Sequence, residues 1–490
     1  MQIKVNRKDI LFSPDSSRVI ARFNYSGDER SKEIILRILG LAEQVAKEEL
    51  VKILRGYSKR HRNISTIFEN HFNRLSHLFH KMDINPNDIG TEMQTLIGSY
   101  FTKEYAIESA AFFNPSMVED PDQSEVLNGE KRVIFSFRAT GEGHISSIVF
   151  RGATLDENCN LQVEEAGKML NEAKTIKRHV YNKKSFISSL LELHKDDKDI
   201  TSKLFSKLPE NFSYGELERA LKETKKEHKL CLSGKILCDE IMWLASSHYE
   251  IMFSLDTDIS ERVIFPISDN EKNGIEDARF VKFTDDNGEV TYYATYTAYD
   301  GITILPKLIT TKNFYHFKIT PINGQIGRNK GMALFPRKIN GQYAMLCRID
   351  GINNYISFSD NLNRWNNAKL LQEPKYPWEF VQVGNCGSPI ETKEGWLVLT
   401  HAVGQMREYV LGACLYDLDN PEKEIGRLKM PLMIPNEIER EGYVPNVIYS
   451  CGSIIHNDKL CIPYAMSDYA SSFATVNLED LLRELKSSNK

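Results

Sequence analysis

The chain has 490 residues, 41% of them hydrophobic and 26% charged, the balance of a soluble globular protein with room for one large core domain and a smaller appendage. A net charge of -5 gives no overall electrostatic pull toward nucleic acid or an acidic membrane, and no run reaches the roughly 18 apolar residues that a bilayer span needs. The polar opening Met1 to Ile10 is unlike a signal sequence, so a cytoplasmic protein is expected, and its eight cysteines, with no Cys-x-x-Cys spacing, read as buried free thiols.

In chain order, Arg18 to Phe23 reads as a short strand. Ile34, Ile35, Ile38, Leu39, Leu41, Ala42, Val45 and Ala46 then recur at helical spacing and form one apolar stripe. A second helical run extends from about Thr66 to Lys81, and the turn Asn85-Pro86-Asn87 separates it from a third. These segments define an N-terminal, mostly helical domain over 1–109, whose stripes are expected to mediate self-association into a homo-oligomer. The basic cluster Lys52, Arg55, Lys59, Arg60, His61, Arg62 reads as a solvated surface, because almost no aromatics are interleaved with it.

From about residue 110 the pattern becomes one of short apolar strands with Gly, Asn and Asp turns. Examples are Val133 to Phe137, Ile145 to Phe150, Tyr292 to Thr297, Tyr343 to Cys347, Trp396 to His401 and Leu460 to Ala465. The echo of Ser254-Leu255-Asp256 in Ser359-Asp360 favours a repeated, mainly β architecture of propeller type. One interruption, about 164–229, looks helical and charged, with Lys168 to Leu170, Phe186 to Leu193 and Leu217 to Lys226 as its helices. The β domain is assigned to 110–480 and residues 481–490 to a C-terminal tail.

Within the β region, Gly274-Ile275-Glu276-Asp277-Ala278-Arg279 places two acids and an arginine in a strand-like stretch. Burying charge without a partner is expensive, so such an interruption marks either a site or a strand-end ion pair between Asp277 and Arg279. The turn Gly141 to His144 reads as a tight turn or a substrate contact, and its Gly-x-Gly lacks the third glycine and helix of a nucleotide fingerprint. Histidines are scattered without ligand spacing, and Asp285-Asp286-Asn287-Gly288 reads as a hairpin turn, so no metal site is expected.

An ordered set of segments carries a family resemblance: Phe113-Asn114-Pro115-Ser116, Phe135 to Ala139, the Asp277 and Tyr296 to Gly301 stretches, Ala333 to Gly341, Met345 to Arg348, Gly387-Ser388-Pro389, Thr400 to Val403, Pro445-Asn446-Val447 and Tyr464 to Asp468. Over roughly residues 110 to 475 the chain resembles glycoside hydrolase family 130, the β-mannoside phosphorylases and β-mannosidases. The resemblance implies a five-bladed β-propeller around a central pocket. It also implies phosphorolysis of a β-mannoside oligosaccharide by inorganic phosphate to α-mannose 1-phosphate, with inversion and without an organic cofactor.

Residue by residue, the resemblance implies Asp277 as proton donor, and Lys338, Arg348, His401 and Arg279 as phosphate ligands. Guanidinium groups suit phosphate because they offer two parallel donors. Asn114, Arg138, Tyr299 and Asp468 are expected to bind sugar, with Trp378 or Tyr464 stacking on a ring. Departures from the family pattern are Ala278, Arg337 and Ala402. Two rivals stand beside this reading. A β-mannosidase of the same fold would need a second pocket carboxylate, for which Glu142, Glu379 and Glu391 are the best offers. A non-catalytic carbohydrate-binding or scaffold propeller would need neither.

Overall fold

The computed structural model describes residues 3–176, 180–193, 198–227, 232–327 and 329–487. Among them, five sheets of four or more strands, almost wholly antiparallel, follow one another along the chain. The first is built on Ala111–Glu119, Lys131–Thr140 and Ser146–Leu155, and the second on Gly274–Thr284, Val290–Tyr299, Ile304–Thr311 and His316–Pro321. The third runs Ala333–Leu334, Tyr343–Cys347, Asn354–Ser359, Ala368–Gln372, and the fourth Gln382–Asn385, Gly395–Val403, Tyr409–Tyr416, Glu424–Arg427. The fifth pairs Ile448–Tyr449, Lys459–Met466 and Ala470–Asn477, and takes its edge strand Val5–Arg7 from the other end of the chain. Val5 pairs with Val476 and Arg7 with Ala474, so the N-terminal segment completes the last sheet.

Five of the six expected strands lie within observed ones, the sixth, Ile145 to Phe150, begins one residue before its strand Ser146–Leu155, and many are buried on both faces rather than one. Gly395–Val403 is buried at every position, and Phe135, Phe137, Val149 and Phe150 are all at or near zero exposure. Sheets that pack between two neighbours bury both faces, which explains near-continuous apolar strands in an antiparallel protein.

The N-terminal helices are Asp28–Leu39, Glu43–Tyr57, Ile64–Asn73, Ser76–Lys81 and Thr91–Tyr100. The stripe read as one helix is broken at Gly40 to Ala42, and the second run at Arg74 and Leu75. Ile35, Ile38, Ala46, Leu50, Phe72, Leu78 and Phe79 bury against one another in a single cluster. The stripe from which self-association was expected is thus spent largely within the chain, although Val45 stays exposed.

In the interrupting segment, Lys168 to Leu170 is not helical and leads into short strands. Helices come later, at Lys183–Leu193, Lys198–Ser206, Tyr214–Glu227 and Leu232–Ser246, around a core of Phe186, Phe205, Phe212 and Leu217. Residues 481–490, set apart as a tail, open inside the helix Leu478–Ser487. Its Leu481, Leu482 and Leu485 are buried with strands of the fourth and fifth sheets, while Glu479 and Asp480 occupy the first turn and Lys486 the last, matching the helix dipole.

Candidate active site

The first strands of the first two sheets lie side by side, joined where the Phe280 amide donates to Ser116 Oγ at 3.1 Å. Each carries a bulge near its start, between Phe113 and Ser116 in one and between Glu276 and Arg279 in the other. A bulge inserts an unpaired residue and re-aims its side chain. The two bulges hold Asn114 at φ 49° and Asp277 at φ 55°. Asn and Asp are the side-chain-bearing residues that best tolerate this left-handed region. Both side chains reach a cavity of about 160 Å³.

Arg138, Arg279, Lys330, Arg348 and Arg407 also line this cavity, with Gln382, His401, Tyr409, Tyr449 and Asp468. Each sheet supplies something: Arg138 leaves the second strand of the first sheet, Arg348 follows that of the third, His401 lies on that of the fourth, and Asp468 follows that of the fifth.

Asp277 accepts from Asn114 Nδ2 at 2.7 Å, and its nearest cation is Arg138, 3.7 Å away. Arg138 makes its close ion pair, 2.8 Å, with Glu276. The anticipated Asp277–Arg279 pair takes another form: Arg279 lies 3.5 Å from the Asp277 backbone carbonyl and donates to the Tyr449 hydroxyl at 2.6 Å. Burial pushes the Asp277 carboxyl up, but Arg138, Arg279, Lys330 and the Asn114 hydrogen bond together hold it below the usual carboxylate range. Asp468 moves the other way: burial, then the negative charge of Asp277, raises it to about 6.

On the far side of the cavity, Arg348 donates to the Gly351 carbonyl at 2.7 Å. His401 Nδ1 sits 3.0 Å from the carbonyl oxygen of Asn385. Burial and then Arg348 and Arg279 push the His401 imidazole well below its ordinary range, so the ring is neutral. Arg279 Nε, Arg348 Nε and His401 Nε2 are all buried without a protein partner. Buried polar groups are nearly always satisfied, so a cluster of orphans around one cavity marks a ligand position, and the basic lining makes that ligand an anion.

Two expected site residues lie elsewhere. Lys338 Nζ is 3.5 Å from Asp286, in the hairpin at the end of Gly274–Thr284 remote from Asp277, and rests over the Tyr343 ring. Its place among the lining cations is taken by Lys330, eight residues earlier in the chain. Tyr299 hydrogen-bonds to the Gly301 carbonyl at 3.0 Å and does not line the cavity. Tyr464 is buried in the core with its hydroxyl on Glu439, and Trp378 packs against Gly412 with its indole on the Lys429 carbonyl. Glu142 pairs with Lys103, Glu379 with Arg427 in the interior, and Glu391 with Arg337, all away from the cavity.

Lys330, Gln382, Arg407, Tyr409 and Tyr449 were not singled out from the sequence. Lys330 and Arg407 lie in polar loops, where a basic residue is unremarked. Two glycines leave a trace: a Cβ on Gly384 would fall 2.7 Å from His401 Cε1 and 3.1 Å from Arg348 Cδ, and one on Gly331 would fall 3.0 Å from Arg348 Cδ, so close approach demands glycine.

An ionised acid and three buried nitrogens without a protein partner, on Arg279, Arg348 and His401, thus share one basic cavity suited to an anion. The family model for glycoside hydrolase family 130, described as beta-1,4-mannooligosaccharide phosphorylase, matches residues 243–487, half of the chain, which therefore belongs to that family. A 1,2-beta-oligomannan phosphorylase of Thermoanaerobacter sp. (strain X514) is 36% identical over 222 residues, 44% of this chain and 72% of that protein. A beta-1,2-mannobiose phosphorylase of Listeria innocua is 30% identical over 243 residues, 48% of this chain and 65% of that protein. The solved complex of beta-1,2-mannobiose phosphorylase from Listeria innocua with beta-1,2-mannobiose is 24% identical, with a TM-score of 0.45 over 78% of this chain and 93% of that one.

Proposed function

We propose that this protein cleaves β-mannosides with inorganic phosphate, giving α-mannose 1-phosphate and a shortened acceptor with inversion at the anomeric carbon. The observation that carries the reading is the set of orphaned buried nitrogens on Arg279, Arg348 and His401 around one cavity that also holds Asp277. Membership of family 130 and relatives named as β-mannoside phosphorylases support it. The balance closes without a cofactor. Hydrogenphosphate loses one proton on forming the dianionic sugar phosphate, and the leaving oxygen gains one.

In this reading the five successive sheets are the blades of a propeller over 110–480, closed by strand Val5–Arg7, and the helices within 1–109 form a separate unit. Arg279, Arg348, Lys330 and His401 hold phosphate. Asn114, Arg138 and Asp468 hold the mannosyl unit, and Asp277 donates the proton to the leaving oxygen, directly or through a sugar hydroxyl. The ionised state of Asp277 agrees with this role once phosphate is counted. A dianion among Arg279, Arg348 and Lys330 offsets the charges that depress the carboxyl and raises it toward the range of a working acid. A cytoplasmic setting fits, since a charged sugar phosphate is retained there.

A hydrolytic reading needs a base about 6.5–9.5 Å from the acid. With Glu142, Glu379 and Glu391 elsewhere, Asp468 is the other carboxylate lining the cavity, and the basic lining favours phosphate over water as nucleophile. Incubation with β-1,2- and β-1,4-mannobiose, with and without phosphate, separates the readings. Mannose 1-phosphate should form only with phosphate, and Asp277→Asn should slow it by roughly 10²- to 10⁴-fold. Free mannose released equally without phosphate would make the protein a hydrolase.

A further inference from the structure

The ring of His401 presents the one imidazole acceptor in a cavity lined largely by donors. Its Nδ1 faces a backbone carbonyl oxygen, an atom that only accepts, at 3.0 Å, so Nδ1 carries the hydrogen. In the neutral ring Nε2 is then a bare lone pair, and this atom is buried, borders the cavity and has no protein partner. The charged groups that act on the ring, Arg348, Arg279 and Lys330, all oppose a second proton.

The ring cannot readily exchange its two nitrogens. It is held between Gly384, which leaves no room for a Cβ, and the rings of Tyr449 and Tyr409, with centroids 4.8 and 6.2 Å away. A flip would also set a nitrogen-bearing edge away from the Asn385 carbonyl and forfeit that hydrogen bond. An anion seated among Arg279, Arg348 and Lys330 therefore meets donors on most sides and a lone pair on one.

We propose that His401 Nε2 accepts a hydrogen bond from the hydroxyl of hydrogenphosphate, so that the site reads the proton on the anion and rejects fully ionised sulfate. The proposal rests on the phosphorolysis reading for its ligand and adds to it the selection rule. Phosphate and sulfate have the same shape and nearly the same size, and cations alone do not tell them apart. Hydrogenphosphate has a hydroxyl to donate. Sulfate has only acceptors, and one of them would be pressed against the Nε2 lone pair in a buried site, where an unmet pairing is most costly.

Calorimetric titration of the full chain with inorganic phosphate and with sulfate tests the selection, and turnover of β-1,2- and β-1,4-mannobiose with phosphate tests the underlying reading separately. Phosphate is expected to bind at least about 100-fold more tightly than sulfate, and arsenate, which carries the same proton, to compete with phosphate within about tenfold. In His401→Ala, which removes the acceptor and leaves space for a water, the phosphate-to-sulfate ratio should shrink to within about tenfold. Sulfate binding wild type as well as phosphate does would overturn the proposal even if phosphorolysis is observed. An unchanged ratio in a folded His401→Ala protein would also overturn it. Phosphate-selective binding without phosphate-dependent turnover would leave the selection standing and remove the phosphorolysis reading.

Discussion

Asn114 donates its side-chain amide to Asp277 Oδ1 at 2.7 Å across two neighbouring sheets, and each residue sits in a bulge with positive φ. The carboxylate is therefore aimed by two backbone irregularities at once, and its orientation depends on a partner 163 residues away.

That relationship separates positioning from backbone tolerance. Asn114→Gly keeps the left-handed conformation at no steric cost but deletes a hydrogen bond to a charged group, worth about 1.5–3 kcal/mol. Turnover of a β-mannoside should fall by roughly 10- to 100-fold, with a loss of stability no larger than that hydrogen bond, about 1.5–3 kcal/mol. Asn114→Ala should lose the same activity and about a further 1–2 kcal/mol of stability, because a Cβ strains the left-handed region. Steady-state kinetics beside urea melts read both quantities.

Lys330 and Lys338 make a paired test of the cavity. Removing a cation that touches phosphate costs about 1.5–3 kcal/mol, so Lys330→Ala should raise the phosphate KM by roughly 10- to 100-fold. Lys338→Ala should leave it within about twofold, since Lys338 pairs at the surface with the exposed Asp286, and such a pair contributes about 0–1 kcal/mol to stability alone. The reverse outcome would return the phosphate site to Lys338.

Asp468 should make the folded protein less stable as pH rises. Its folded pKa, about 6, lies above the ordinary 3.8, so the folded state holds this proton more tightly than the unfolded chain. The contribution is fully present below about pH 4 and is lost as pH passes through about 6. Asp468→Asn stays neutral, so relative to wild type it should gain stability between pH 4.5 and 7.5. The gain is at most about 3 kcal/mol at about 1.4 kcal/mol per unit, and smaller because the side chain is partly exposed. Denaturant melts at the two pH values measure it. A loss of activity should accompany the gain, the usual trade at a strained site.

Glu271 anchors the segment that leads into Asp277. Its buried carboxylate accepts from Tyr249 at 2.9 Å, Tyr296 at 2.5 Å and Lys307 at 2.8 Å, and from the Ser268 amide at 3.1 Å. Burial would raise this carboxyl, but Lys307 and the donors outweigh it and hold it at about 2, against an ordinary 4.5. The stabilisation is therefore present above about pH 4.5 and is lost as pH falls toward 2. Glu271→Ala strands Lys307 without its counter-charge and should cost about 3–5 kcal/mol. The double variant Glu271→Gln, Lys307→Met should recover part of that loss. Thermal melts of the single and double variants at pH 7 decide it.

Much of the β scaffold was legible because a strand writes its period locally. Val133 to Phe137 and Trp396 to His401 announce themselves by short, nearly continuous runs of aliphatic, β-branched and aromatic residues within five or six positions. Helix ends were less legible. Gly40 breaks the first apolar stripe, and the spacing on either side reads as continuous because two helices packing on one core share a face. Asp277 was legible as charge interrupting an apolar run, and Arg348 and His401 as polar residues closing strands.

By itself, then, the sequence determined the mainly β architecture, the helical N-terminal stretch and the family, and it singled out Asp277 as a buried charge, all of which depend on patterns within a few residues or on an ordered series of short motifs. Only the tertiary structure decided which cations meet. Whether Lys330 or Lys338 borders Asp277 depends on which end of a two-residue strand, Ala333–Leu334, faces the cavity. Tyr449 reaches Arg279 across 170 positions, and Tyr464, a plausible sugar platform by type, turns its hydroxyl into the core toward Glu439. Side-chain direction alternates at every residue of a strand and shifts again at each bulge. A site assembled from five sheets is therefore fixed by their convergence, which no local window of the chain contains.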